Sequence, residues 1–270
     1  MSAENVLAEA AGAYRVALGE RLVAAYALGS LAHGGFSELV SDIDLGLILS
    51  DPLGAGDALT IQAVAGAEKA RGSELGQRLS VFWGTPSTLR GEREGGRFPA
   101  LDRLDLLDYG RVLSGRDARA GVPRPSAREL LVAGAEFAIE YLAGADAVAE
   151  IRRPEVLLAH GVRRVTKLVL FPVRFLFTSA TGEVGTNDAG AAHHLDQRDA
   201  PAGRLAAAAL AWRTAPPIDE QAALQLLRAE LVPLYLYYID DHITRLDSVG
   251  RRDLARAFEA WRERIGEASP

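Results

Sequence analysis

The sequence predicts an α/β (α+β) domain with a mixed sheet, followed by an all-α helical bundle domain. In roughly the first 120 residues, short apolar runs that suit buried strands alternate with helical patterns. After Ser126, apolar residues recur at helical spacing over long stretches. Residues 121–125 (GVPRP) join the two parts and have the composition of a linker. We therefore predict one domain over residues 1–120 and a second over residues 121–270.

Strands in the first domain are predicted from short apolar runs, and helices from apolar residues at intervals of three and four. The run at 22–28 (LVAAYAL) ends at a glycine, and the run at 43–49 (IDLGLIL) begins beside two aspartates. In chain order the predicted elements are a helix at 4–20, strands at 22–28 and 43–49, a helix at 56–71, a strand at 78–83, a loop at 91–97 and a strand at 104–113.

Helices alone are predicted for the second domain. Ser126, with Glu129 three residues later, has the pattern of a capping box at the start of the first of them. Pro172 and Pro233 are expected to kink or divide two of the helices, because proline removes a backbone donor. The predicted helices lie at 126–144, 154–178, 188–196, 204–212, 219–246 and 251–265.

Two carboxylates stand at the start of the second predicted strand. Asp42 and Asp44 flank Ile43, and side chains two apart in a strand project from the same face. Both carboxylates then aim at one point while Ile43 faces the core. Mg²⁺ prefers oxygen ligands and is commonly held by one or two carboxylates together with substrate phosphates. Such a pair at a strand end is usually only solvated, so a second feature is needed to define a site.

The Gly29–Ser30 turn after the first predicted strand is that second feature. Glycine has no Cβ to obstruct a phosphate, and the turn offers backbone N–H groups and a hydroxyl. The turn and the Asp42–Asp44 pair together predict a site for a magnesium–triphosphate complex. Metal-assisted in-line displacement at phosphorus is the chemistry that such a site would perform.

The stretch from residues 29–35 (GSLAHGG) to 41–45 (SDIDL) resembles the signature of the DNA polymerase β-like nucleotidyltransferase superfamily. It is most similar to the bacterial branch that contains aminoglycoside nucleotidyltransferases. Later segments at 104–115, 174–182 and 185–188 are similar to less specific parts of the same branch. The resemblance covers roughly residues 20–200 and implies a nucleotidyltransferase domain followed by a helical domain.

The resemblance also implies an activity and a set of site residues. It implies transfer of a nucleoside monophosphate from a triphosphate, with ATP as the expected nucleotide, to a hydroxyl of a small molecule such as an aminoglycoside. Pyrophosphate would be released. Asp42 and Asp44 would be the catalytic residues and the ligands of one or two Mg²⁺ ions, while Gly29, Ser30 and Ser41 would contact the nucleotide.

The family pattern fails at the third carboxylate, which active members carry on a later strand. Here the matching strand is predicted at 78–83 (RLSVFW), and the aligned position is Ser80, a weak metal ligand and a poor base. Three explanations stay open: the alignment is shifted, the chain binds nucleotide with little or no catalysis, or another acid reaches the site. The acids considered for that role are Glu74, Asp102, Asp105 and Asp108.

A basic stripe in the second domain is a further candidate for triphosphate binding. His160, Arg163 or Arg164, Lys167 and Arg174 recur at helical spacing on the predicted helix at 154–178. Arginine can bind phosphate oxygens bidentately, and lysine supplies a point charge. Lys167 and Arg174 are the residues we predict to contact the nucleotide, although a solvated basic face explains the stripe equally well.

Composition limits the partners. The net charge of −6 and the lack of a basic stripe that dominates either half argue against an extended nucleic-acid footprint. The absence of cysteine fits a reducing cytoplasm, and no apolar run approaches the ~20 residues of a membrane span. We expect a cytoplasmic protein that binds a nucleoside triphosphate and a small hydroxylated acceptor, with a homodimer left open. Action on a protein or tRNA, as in toxin–antitoxin pairs, is the alternative activity.

Overall fold

The structure is a computed structural model that describes residues 2–266. The chain divides into two compact units, of which the first ends at Pro125 and the second begins at Ser126. The division therefore falls at the end of the segment that the sequence marks as a linker. No helix among the described residues is both long and apolar enough to cross a membrane.

The first unit is built on a four-stranded mixed sheet with helices around it, as predicted. The strands lie in the order β3-β2-β1-β4. Strand β1 is antiparallel to both β2 and β4, whereas β2 and β3 are parallel and are joined through helix α3. Its elements are α1 Ala3–Leu18, β1 Leu22–Leu28, α2 Gly29–His33, β2 Ile43–Leu49, α3 Asp57–Ala70, β3 Leu79–Gly84, α4 Pro86–Leu89, α5 Ala100–Asp108 and β4 Arg111–Gly115.

Helices α1 and α3 cover one face of this sheet. Ser2 precedes helix α1 and caps it, because its Oγ accepts a hydrogen bond from the Asn5 N–H at 3.3 Å. Its apolar stripe includes the fully buried Tyr14. The Tyr14 hydroxyl donates to the Ile61 carbonyl on α3 at 3.2 Å, which satisfies the buried hydroxyl and fixes the two helices together.

The opposite face of the sheet is covered in part by α5 and by the segment that leaves β4. Leu106 of α5 packs in one cluster with Tyr26, Leu28 and Ile48 of the two central strands. The Tyr26 hydroxyl accepts from the Ala118 N–H at 2.6 Å and donates to Asp117 at 3.0 Å. These bonds hold the chain after β4 against β1.

The prediction of a strand at 104–113 is wrong, because helix α5 ends at Asp108 and β4 begins only at Arg111. The segment was interpreted as a strand because leucine and aspartate alternate at 104–106. Leu101 and Leu104 are also three apart, which suits a helix, and Pro99 directly precedes the helix. Gly110 then closes α5, and its N–H donates to the Leu106 carbonyl at 3.1 Å.

The described part of the second unit is helical, in agreement with the predicted fold class. Two details differ from the sequence prediction: α7 was not predicted, and the helix predicted at 154–178 is interrupted at Gly161, which adopts φ +85°. Neither Pro172 nor Pro233 divides its helix. The helices are α6 Ala127–Tyr141, α7 Ala145–Arg152, α8 Pro154–Ala159, α9 Val162–Thr181, α10 Asn187–Asp196, α11 Gly203–Trp212, α12 Glu220–Ser248 and α13 Arg252–Gly266.

An aromatic cluster between α12 and α13 forms much of the core of the second unit. Tyr235, Tyr238, Phe258 and Trp261 are all fully buried, and their rings meet edge-on or tilted at centroid distances from 5.4 to 6.0 Å. The Tyr235 hydroxyl donates to the Leu168 carbonyl of α9 at 2.8 Å. The cluster therefore joins α9 to the two last helices.

Glu150 at the end of α7 is a buried acidic residue that organises the interrupted region. Only 4% of Glu150 is exposed, and its carboxylate accepts two hydrogen bonds from Arg164 at 2.9 and 2.5 Å and one from His160 at 2.5 Å. Burial alone would raise the pKa of Glu150, but the bonds from Arg164 and His160 lower it below its ordinary value. The contacts of Glu150 with Arg164 and His160 stabilise the junction of α7, α8 and α9.

Glu150→Gln is expected to lower the free energy of unfolding by about 1–3 kcal/mol, since it removes a buried charge that satisfies Arg164. The stabilisation from Glu150 is present above the ordinary glutamate pKa of about 4.3 and is lost as the pH falls through its lowered pKa. Urea denaturation at several pH values measures both effects. Glu155→Gln is the control, because Glu155 is half exposed and lies 3.5 Å from Arg228. Equal losses in the two variants would contradict the structural role of Glu150.

Candidate functional site

Asp42 and Asp44 lie at the end of β2 that adjoins the Gly29–Ser30 turn. Both side chains are half-buried, whereas Ile43 and Leu45 between and after them are fully buried. This alternation places the two aspartates on one face of the strand and the apolar residues on the other.

The glycine of the turn is required by the backbone and by its neighbour. Strand β1 ends at Leu28, which lies opposite Asp44 in the antiparallel pairing. Gly29 follows with φ +59°, a left-handed conformation that side chains other than glycine adopt at a cost. A Cβ at this position would also overlap the Asp44 carboxylate oxygen. The missing side chain therefore allows the Asp44 carboxylate to lie against the start of α2.

Helix α5 brings two more acids to the same place. The Asp105 carboxylate accepts the Gly29 N–H at 2.5 Å, and Asp105 is only 8% exposed. Asp102 lies one helical turn earlier, on the same side of α5 as Asp105. The Gly29 amide, which we expected to face a phosphate, is thus bonded to a carboxylate.

Negative charge is concentrated at this site. Burial, together with the nearby Asp44 and Asp105 carboxylates, raises the pKa of Asp102 to about 8, and Arg97 opposes the increase. Crowded carboxylates that repel one another are suited to a divalent cation, which would relieve the repulsion. The donor set at Asp42 and Asp44 therefore fits magnesium.

Among residues 2–266, no group of three or more His, Asp and Glu side chains is placed to hold one metal ion. A cation at this site would be held by the two carboxylates of Asp42 and Asp44, and its other positions would fall to substrate oxygens and water.

Ser41 helps to fix the loop that leads to Asp42. The Ser41 hydroxyl accepts from the Ser37 N–H at 3.0 Å, and the Ser41 N–H donates to the Ser37 carbonyl at 2.9 Å. Ser41 is buried, with 8% of its surface exposed. These contacts position the first aspartate, and the predicted contact of Ser41 with a nucleotide stays a prediction.

Ser80 lies directly opposite Asp44 in the parallel pairing of β2 and β3. Opposed residues in a sheet point to the same face, so the Ser80 hydroxyl belongs to the face that carries the aspartates. The register agrees with the alignment that assigned Ser80 to the position of the third carboxylate.

Of the four alternative acids, two are engaged away from the aspartate pair. Glu74 is an exposed residue paired with Arg78, and Asp108 forms a 2.5 Å ion pair with Arg124. Asp105 is bonded to Gly29, and Asp102 lies one helical turn away on the same side of α5, within the electrostatic influence of Asp44. The sequence offers both acids without distinguishing them, because a strand at 104–113 would leave Asp102 outside the element. Interpreting the segment as a helix would have placed both acids on one face.

Lys167 and Arg174 belong to α9 in the second unit. The Arg174 guanidinium donates to the Gly185 carbonyl and lies over the Phe171 ring at 5.5 Å. Lys167 is half-buried. The structure gives Arg174 a role in holding the loop between α9 and α10, and the predicted contact of both residues with a triphosphate stays a prediction.

The predicted stripe that began at His160 is wrong in one respect. His160 directly follows α8 and is separated from α9 by Gly161, so it does not share a helix with Lys167. His160 and Arg164 both bind Glu150 instead. The physical reason is the left-handed backbone at Gly161, which ends one helix before the next begins.

Comparison with known proteins supports the fold. No protein-family model matches the chain, and no curated protein matches it. Among solved structures, the chain is similar to spectinomycin adenyltransferase AAD(9) from Enterococcus faecialis, determined with ATP and spectinomycin. The TM-score is 0.56 at 14% sequence identity, and the match covers 86% of this chain and 98% of the other. The chain thus has the fold of that nucleotidyltransferase, as the sequence motif predicted.

Gly29→Ala is expected to weaken binding of magnesium–ATP at least tenfold, because the new Cβ displaces the Asp44 carboxylate. Gly34→Ala is the matched control: Gly34 has φ +86°, but a Cβ there meets no atom within 4 Å. Both variants should lose about 1–2 kcal/mol of stability to left-handed alanine. Calorimetric titration and thermal unfolding measure the two quantities. Equal binding losses would refute a specific role for Gly29.

Proposed function

We propose that the protein is a magnesium-dependent nucleotidyltransferase. It moves a nucleoside monophosphate from a triphosphate, with ATP as the expected donor, to a hydroxyl of a small molecule and releases pyrophosphate. The observation that carries the proposal is the Asp42–Asp44 pair, half-buried on one strand face against the Gly29 turn. The fold shared with an adenyltransferase solved with ATP supports it.

Each site residue in the first unit has a proposed role. Asp42 and Asp44 would hold one or two Mg²⁺ ions, which supply neutralising charge on the triphosphate and orient its α-phosphate when bound. Gly29 would allow close approach of the triphosphate, although its N–H is bonded to Asp105. Ser30 would offer its hydroxyl and backbone N–H to the phosphates. Lys167 and Arg174 are proposed as further cationic contacts of the triphosphate.

The reaction is an in-line displacement at phosphorus. The acceptor hydroxyl loses its proton as its oxygen attacks the α-phosphorus, and the bond from that phosphorus to the bridging oxygen breaks. The α,β-bridging oxygen leaves as part of pyrophosphate. The protein contributes mainly positioning and electrostatic stabilisation, since the phosphorus chemistry needs no covalent intermediate.

A small hydroxylated acceptor that carries positive charge suits this site best. The carboxylates of Asp44 and Asp105, which act together on Asp102, attract cations. An aminoglycoside or a related antibiotic has both hydroxyls and ammonium groups, and the similar structure was determined with spectinomycin. Modification of a protein or tRNA would use the same aspartates and would be recognised by labelling of a macromolecule with radioactive ATP.

A catalytically silent nucleotide-binding protein is the second candidate, because Ser80 stands where an acid is expected beside Asp44. Such a protein would bind magnesium–ATP without releasing pyrophosphate with any acceptor. Binding and turnover therefore have to be measured separately.

Asp44→Asn and Asp42→Asn are each expected to lower pyrophosphate release at least 100-fold, because each removes a proposed ligand of the metal. The assay is coupled phosphate detection with a panel of aminocyclitol and aminoglycoside acceptors. Asp108→Asn is the control, since Asp108 pairs with Arg124 away from the aspartates. Wild-type rates in the Asp44 variant would overturn the metal site, and ATP binding without turnover in the wild type would establish the silent alternative.

A further inference from the structure

We propose that helix α5 replaces the acid that β3 lacks, with Asp102 as the third carboxylate of the site and Asp105 as a positioning residue. The inference rests on the proposed function and assigns two residues to the same site. It is carried by the contact of Asp105 with Gly29, by the helical spacing of the two aspartates and by the register of Ser80 against Asp44.

The position on β3 is filled by a residue that cannot serve as an acid. Ser80 lies opposite Asp44 in the parallel ladder and points to the same face of the sheet. Its hydroxyl stays protonated near neutral pH, so it neither accepts a proton readily nor adds negative charge. A transferase with this sheet therefore needs an acid from another element.

Asp105 connects α5 to the site through a direct contact. Its buried carboxylate accepts the Gly29 N–H at 2.5 Å, and Gly29 in turn lies against the Asp44 carboxylate. A charged acceptor makes this hydrogen bond stronger than one between neutral groups. Asp105 thereby holds the left-handed turn in which Gly29 leaves room for Asp44.

Asp102 follows from the placement of Asp105. The two residues are three apart on one helix and share its side, so the helix that delivers Asp105 to Gly29 also brings Asp102 to the site. The influence of the Asp44 and Asp105 carboxylates on the pKa of Asp102 is consistent with this proximity. Glu74 and Asp108 pair instead with Arg78 and Arg124.

The chemistry assigned to Asp102 is the acceptance of a proton by its ionised carboxylate, a form that positive charge beside Asp44 would favour. As the acceptor oxygen forms its bond to the α-phosphorus, its proton passes to a carboxylate oxygen of Asp102, and the bond to the bridging oxygen breaks to release pyrophosphate. Atoms and charge balance without a further reactant. A positioned proton acceptor typically increases the rate about 10²–10⁴-fold.

The first experiment moves the carboxylate between elements. Asp102→Asn should lower kcat for pyrophosphate release about 100-fold or more, with the KM for magnesium–ATP changed less than about threefold. Adding Ser80→Asp or Ser80→Glu to Asp102→Asn should raise kcat at least about tenfold above that of Asp102→Asn alone, because the strand then carries an acid. Asp108→Asn, on the same helix, should behave as the wild type.

Stability separates catalysis from a structural role. Asp102→Asn should keep or raise the melting temperature, because asparagine lacks the charge that the neighbouring carboxylates repel. A lower melting temperature together with a raised KM would assign Asp102 to folding and overturn its proposed role. Full activity of Asp102→Asn, or no recovery with either acid at position 80, would overturn it as well.

The second experiment tests Asp105 without turnover. With glycine labelled selectively by ¹⁵N, the Gly29 amide should be protected from hydrogen exchange in the wild type and in Asp105→Asn, which keeps an acceptor oxygen. Asp105→Ala should remove the protection and weaken magnesium–ATP binding, and Asp105→Asn should restore most of that binding. An exchange rate that is the same in all three proteins would overturn the positioning role.

The outcomes also distinguish this inference from the proposed function. An inactive wild type whose Ser80→Asp variant releases pyrophosphate would overturn the inference and leave the proposed chemistry standing. An inactive wild type with inactive Ser80 variants would overturn both. Activity that requires Asp42 and Asp44 but tolerates Asp102→Asn would overturn only the assignment to α5.

Discussion

The contact between Gly29 and its two acidic neighbours is the constraint on which the site depends. Strand β1 must end in a left-handed residue without a side chain, because Asp44 lies where a Cβ would be. Asp105 then accepts the amide of the same residue at 2.5 Å. Gly29 therefore brings strand β2, the turn and helix α5 together. Because Gly29 has no side chain, Asp44 and Asp105 can both lie against it.

That arrangement has an electrostatic consequence that favours function over stability. Burial and the adjacent charges of Asp44 and Asp105 raise the pKa of Asp102 to about 8, so the ionised form of this side chain is disfavoured in the fold. Such crowding is a cost to the first unit, and sites that bind cations commonly carry it. The buried ion pairs of Glu150 in the second unit show the contrasting case, where each carboxylate oxygen has a cationic or imidazole donor and the pKa is lowered.

The elements that local pattern predicts well are those whose burial agrees with their periodicity. Strands β1 and β2 keep their predicted bounds, and the aspartates at β2 share one face. Helix α5 was predicted as a strand because its short leucine–aspartate pattern fits the periodicity of a strand as well as that of a helix. Only the packing of Leu106 on Tyr26 and Ile48 decides between the two. The hydrogen bond from Gly29 to Asp105 joins residues 76 apart in the chain, so no local pattern indicates it.

An acid on helix α5 is held in place by different contacts from an acid on strand β3. A carboxylate on β3 would be fixed to Asp44 by the ladder between the parallel strands. A carboxylate on α5 is fixed instead to the Gly29 turn, through Asp105 on the adjacent helical turn. The groups that would meet the triphosphate and the group that would take the proton then shift together when the turn shifts. With these assignments, the geometry of the turn, rather than the register of the sheet, would set the distance between the phosphate-binding groups and the proton acceptor.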